Sequence, residues 1–119
     1  MATAIVEQGI NGPYEAESAT PRISPLTWAA ADVTGNTIVM STGRCLVLFR
    51  NSGATPRTVA VASSPDPFNR KADIAATSLA AGAIFGKIFE ARGWEQTLGG
   101  RDLAITCSNA EVVIAAIAL

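Results

Sequence analysis

The side chains that most often do chemistry at neutral pH are thinly supplied in this chain. It holds no histidine. That takes away the usual general base, the commonest zinc ligand and every Ser-His or Cys-His nucleophilic arrangement. The two cysteines, Cys45 and Cys107, lie in separate apolar segments. Two isolated thiols do not make a four-cysteine metal site, and they read as buried small hydrophobes of a reduced, cytosolic protein. A disulfide between them stays open, because it needs neighbouring strands with matching Cβ geometry.

Carboxylates remain, with Asp66, Asp73, Glu90, Glu95 and Asp102 as the candidates. A pair of them flanking a sugar would serve glycosidic chemistry. Each, however, sits in a turn or beside a cation: Asp73 near Arg70 and Lys71, Glu95 near Arg92, Asp102 next to Arg101. They read as solvated loop charges. A calcium loop wants acidic residues at alternate positions, and Ser63-Ser64-Pro65-Asp66 offers one. Gly82-Ala83-Ile84-Phe85-Gly86-Lys87 lacks the length and the hydroxyl ending of a P-loop and reads as a bulged strand. The expectation is therefore a protein that is not an enzyme, with no catalytic residue, no metal and no cofactor.

Binding is the other way to work. Nine Lys and Arg stand against ten Asp and Glu, for a formal charge of −1. No overall basic field draws the chain to nucleic acid, and Arg44, Arg50, Arg57, Arg70, Lys71, Arg92 and Arg101 are dispersed. Phe49, Phe85 and Phe89 fall in apolar runs and read as core, whereas Trp94, beside Gly93 in a turn, is a candidate contact. No apolar run approaches the roughly 18 residues of a membrane span. Residues 1–12 lack the basic start and apolar run of an export signal. Only 16% of residues are charged and 49% are hydrophobic. A chain of 119 residues has too little interior to hide that much, so apolar surface is expected to meet another chain.

The elements that must position these residues read as strands. Gly43 to Ser63 is the central stretch: apolar runs Cys45–Phe49 and Val59–Ala62 flank Asn51-Ser52-Gly53-Ala54-Thr55-Pro56 and read as a hairpin. Within it Cys45, Val47 and Phe49 point one way, and Leu46, Leu48 and Arg50 the other. Ala4–Val6, Thr37–Met40, Ala75–Gly82, Ile84–Phe89, Leu103–Cys107 and Val112–Leu119 complete about eight short strands. Ala29–Asp32 is taken as the start of a helical turn. Phe68–Ile74 is taken as an irregular edge strand or loop, and Gly86 as a bulge or a close approach. Val112–Leu119, apolar on both faces, suits a strand buried between sheets or at a subunit interface. Turn signals at this spacing predict an all-β fold, an antiparallel β-sandwich of jelly-roll-like form. Residues 25–119 would form the sandwich. Residues 1–24, broken by Asn11-Gly12-Pro13 and Thr20-Pro21, would form an extended N-terminal arm.

Several segments together resemble the small β-sandwich head-decoration (cement) proteins of tailed bacteriophages. They are Leu26–Asp32, Gly35-Asn36, Thr42–Asn51, Thr58–Val61, Asp66–Ile74, Ala80-Ala81-Gly82 and Gly93-Trp94, spread over roughly residues 26–119. The resemblance implies a virion structural protein on the capsid exterior, made in the host cytoplasm. Its partners would be itself, as homodimer or homotrimer, and the major capsid protein, with no nucleic acid and no membrane. Ile5, Val6, Ile10, Tyr14 and Ile23 of the arm, with Phe68, Arg70 and Trp94, are the candidate partner contacts. A tail- or neck-associated role, or a carbohydrate- or receptor-binding module using Trp94, Tyr14 and loop carboxylates, is the alternative on the same fold.

Overall fold

Alternation decides the central strand. Along Arg44–Asn51 every second residue, Cys45, Val47, Phe49 and Asn51, is buried, and the residues between are open or half-open. The computed structural model describes residues 3–9, 26–64, 73–97 and 99–119. In chain order the strands are β1 (Thr3–Ile5), β2 (Ala29–Ala30), β3 (Asn36–Val39), β4 (Arg44–Asn51), β5 (Arg57–Ala62), β6 (Ile74–Leu79), β7 (Ile84–Glu90), β8 (Asp102–Cys107) and β9 (Val112–Ala118). They form a five-stranded sheet ordered β1-β3-β8-β5-β6 and a four-stranded sheet ordered β2-β9-β4-β7.

The pairing has a simple logic. β2 pairs with β9, β3 with β8, β4 with β7 and β5 with β6, all antiparallel. The chain is a long two-stranded ribbon that turns back between β5 and β6 and is then rolled up. Contacts of β4 with β9 and of β5 with β8 join successive coils. That is a jelly roll, as expected. β1 is an addition to it, running parallel to β3.

The roll overturns one expectation. β4 and β5 do not form a hairpin: β4 lies between β9 and β7 in one sheet, and β5 lies between β8 and β6 in the other. The link 52–56 is an arch across the sandwich. Asn51 holds it from inside, with its fully buried side chain donating to the carbonyls of Thr55 (2.8 Å) and Leu79 (3.0 Å) and accepting from Gly53 N–H (3.0 Å). A buried amide with its donors and acceptor satisfied fixes the bend without a desolvation penalty. β8 and β9 likewise belong to different sheets. Ser52 spans the two arches, its N–H (2.9 Å) and hydroxyl (2.6 Å) both donating to the Glu111 carbonyl.

Ala29–Ala30 also differs from expectation: it is a strand on β9, not a helical turn. Ala31 N–H donates to the Val112 carbonyl at 2.9 Å, so the neighbouring strand outweighs alanine's helix propensity. Gly86 makes no bulge, since β4 and β7 stay in register from Arg44↔Glu90 to Arg50↔Ile84. It is a close approach instead: a Cβ there would lie 2.7 Å from Leu48 Cδ2. Ile74–Leu79 is a strand closed by a turn with Gly82 at φ +75°, as read from the sequence.

The start of the expected arm is built into the fold. Ile5 is 6% exposed and packs in the core. Gln8 leaves β1's sheet and joins the other: its N–H donates to Ala116 (2.8 Å) and its carbonyl accepts from Ala118 (2.9 Å). Its side-chain amide meanwhile exchanges 2.8 Å hydrogen bonds with the Thr27 backbone. Residues 3–9 thus tie the two sheets together along one edge. Ile10, Tyr14 and Ile23, and Asp66, Phe68 and Arg70, lie outside the described residues.

Candidate functional site

Asp102, Glu95 and Asp73 are occupied in holding backbone. Asp102 accepts from Thr97 N–H (2.8 Å) and hydroxyl (3.1 Å), which pull its pKa below the ordinary carboxylate value. Glu95 accepts from the N–H groups of Gly99 (3.2 Å) and Arg101 (3.0 Å), not from Arg92. Arg101 takes a left-handed φ of +54° there, and its guanidinium donates to the Ser41 carbonyl at 2.7 Å. Asp73 accepts from Ser63 N–H (2.7 Å) and hydroxyl (2.9 Å). Glu90 faces Arg44 at 3.4 Å. Among the described residues no group of three His, Cys, Asp or Glu side chains is placed to hold a metal. Both thiols are free and buried, one in each sheet, and burial raises each to about 11.

Trp94 ends a turn, Ala91–Trp94, in which Gly93 takes φ +94°. The ring is half-buried and meets core Phe89 edge-on, centroids 4.9 Å apart at 84°. Lys87 Nζ lies 5.8 Å and 6.0 Å from the two ring centres. Trp94 therefore closes one end of the core and does not stand out as a stacking platform. Beside it, where edge strands β6 and β7 face each other, an apolar cleft of about 150 Å³ is lined by residues including Phe49, Val61, Ile74, Leu79 and Phe85. Of the arm candidates, Ile5 is a correction: its side chain is spent in its own core and offers nothing to a partner. Val6 is 84% exposed.

The feature that sequence reading approached without assembling is the outer face of the β2-β9-β4-β7 sheet. Register sets Leu46 opposite Ile88 and Ile117, Leu48 opposite Gly86 and Ala115, and Arg50 opposite Ile84 and Val113. All of these alternate with core-facing neighbours, so they share the outer side. An outward sheet face normally alternates to polar residues; this one is mostly Leu, Ile, Val and Ala over three strands, with Gly86 within it and Arg50 and the Arg44–Glu90 pair at its two ends. Ile84 is 57% and Ile88 49% exposed, whereas Leu46, Leu48 and Val113 are half-buried and Ala115 and Ile117 are buried. The open part thus lies over β7 and β4. On the other sheet the corresponding outward positions of β3, β8 and β5 include Thr37, Thr58, Ala60, Ala62, Ala104 and Thr106, small or hydroxylated, with Val39 the large apolar exception at 57% exposed. The signal was present in the sequence as Leu46 and Leu48 pointing away from Cys45, Val47 and Phe49. What covers or flanks them depends on β7 and β9, which only the rolled topology brings alongside.

Comparison with protein-family models, with characterised proteins and with solved structures gives no significant match for this chain.

Proposed function

We propose that this chain is a structural assembly protein, a capsid decoration protein that oligomerises and clamps adjacent major capsid protein subunits on a virus head. The observation that carries the reading is the apolar outer face over β7 and β4, which is unsuited to water and suited to another protein surface. The resemblance set out above supplies the kind of assembly. Jelly rolls serve both capsid and lectin roles, so fold alone does not choose between them. Trp94, packed edge-on against Phe89, gives a sugar site little to work with. Many copies on a repeating shell make weak individual contacts sufficient.

The test is co-sedimentation of the purified chain with undecorated heads of a tailed bacteriophage, followed by heating of the loaded heads. Saturable binding at a fixed number of copies per head, with a raised disruption temperature, is expected. Absence of binding to heads, alongside binding to isolated tails or to a glycan array, would overturn the reading.

A further inference from the structure

The two sheets end unequally. The sheet holding β7 has four strands against five in the other, and β7 is its outermost strand. Ala91 N–H donates to the Gly43 carbonyl (2.8 Å) and Asn51 N–H to the Ala83 carbonyl (3.1 Å). Hydrogen-bonded pairs alternate along an antiparallel ladder. With β4 and β7 in register from Arg44↔Glu90 to Arg50↔Ile84, the backbones of Phe85, Lys87 and Phe89 therefore bond to β4. Those of Gly86 and Ile88 point the other way, where no described strand lies. No proline or bulge blunts this edge. The core is unfinished at the same place. Phe85, Lys87 and Phe89 share the inward side of β7, yet Phe85 is 44% exposed and Lys87 is exposed, only Phe89 being buried. They border the apolar cleft against Val61, Ile74 and Leu79, and a void of about 150 Å³ admits a benzene-sized group. Lys87 has no carboxylate partner among the described residues, its ammonium lying over the Phe89 and Trp94 rings. At the opposite edge the chain finishes itself: residues 3–9 lie along β3, put Ile5 into the core and cross to β9.

We propose that the β7 edge takes one extended peptide segment of another protein as a fifth strand of its sheet, antiparallel to β7. The Gly86 and Ile88 backbones supply the hydrogen bonds. Side chains of the added strand opposite Phe85, Lys87 and Phe89 face the cleft. The segment that fits carries a large apolar residue opposite Phe85 and, two residues away, a carboxylate opposite Lys87. Lys87 sets the choice. An inward cation on an edge strand discourages wholly apolar strands. A second copy's β7, overlapped antiparallel along its full length, would set Lys87 against Lys87. An acidic segment turns that repulsion into an ion pair.

The experiment is amide hydrogen exchange by NMR on the full chain, alone and with the capped synthetic heptapeptide TVTETLT. In the free chain the Gly86 and Ile88 amides are expected to exchange fast and those of Phe85 and Lys87 slowly. Saturating peptide should slow Gly86 and Ile88 at least about tenfold. Replacing the peptide's Glu by Lys should weaken binding about fivefold, and Lys87→Glu should reverse that preference. Ile88→Pro removes an N–H that β4 does not use, so binding should be lost, whereas Ile88→Thr keeps the N–H and should keep binding. Should Ile88→Pro fail to fold, the charge reversal decides. Slow exchange at Gly86 and Ile88 in the free chain would mean that the chain itself or a copy already covers the edge, and would overturn the proposal. No protection at millimolar peptide, or indifference to the sign of charge at position 87, would do the same. Head binding is read separately, since it rests on the outer face. Bare heads with a peptide-protected edge remove the decoration reading alone, and bound heads with an unprotected edge remove strand capture alone.

Discussion

Asp32 shows how much a single carboxylate can organise here. It accepts from the hydroxyl of Thr3 at 2.6 Å and from the N–H (2.9 Å) and hydroxyl (2.7 Å) of Thr34, linking β1 to the turn before β3. The Thr3 hydroxyl first, then Thr34, lower its pKa from 3.8 to about 2. A depressed folded-state pKa means the contribution is full above the unfolded value and is lost as pH falls through the folded one. The stability difference between the native chain and Thr3→Val should therefore be constant above pH 4 and shrink toward pH 2, read from urea midpoints across that range. The thiols work in the other direction. Cys45 and Cys107 rise from 9.0 to about 11 on burial, so the unfolded chain ionises first. Their contribution is full below pH 9 and is lost as pH rises toward 11. Replacing both with Ala should flatten that alkaline decline, measured the same way.

At the scale of elements, the two arches at one end of the sandwich act as a unit. Arg57 Nε donates to Glu111 Oε1 at 2.9 Å, joining the start of β5 to the link before β9. A Cβ at Gly53 would fall 2.2 Å from Glu111 Oε2, inside the space this carboxylate fills. Gly53→Ala must push Glu111 away from Arg57, at a cost of about 1 kcal/mol. In a Glu111→Ala background the same change should cost almost nothing, and a double-mutant cycle by chemical denaturation checks the coupling. The arch also explains why the central hairpin was misread. Apolar runs either side of Asn, Gly and Pro announce two strands and a bend. Whether the bend returns along the same sheet or crosses to the other depends on where Asn51 finds its partners. Two of those, the carbonyls of Thr55 and Leu79, are a turn and a strand away.

For the molecule as a whole, the early residues belong to the body. Ile5→Ala should destabilise by about 2–4 kcal/mol, because the side chain is buried in the core and, among the described strands, β1 is a sheet edge paired with β3. Thermal unfolding of that variant tests it, and a midpoint unchanged from the native chain would mean the segment is not integral. Part of the apolar surplus noted in the composition has a location: Ile84 and Ile88 stand open on one outer face, beside half-buried Leu46 and Leu48, while Val39 is the large apolar residue exposed on β3 of the other sheet.

Composition, alternation and turn spacing were enough to determine an all-β sandwich, most of its strands and two buried thiols, because these follow from local periodicity and residue type. The tertiary structure alone decided strand order, the arch at residues 52–56, the place of Ile5 and Gln8, and which outward residues sit side by side. Leu46, Leu48, Gly86, Ile88, Ala115 and Ile117 come from three strands separated by long stretches of chain. No local pattern joins them, and only the winding of the ribbon makes them one surface.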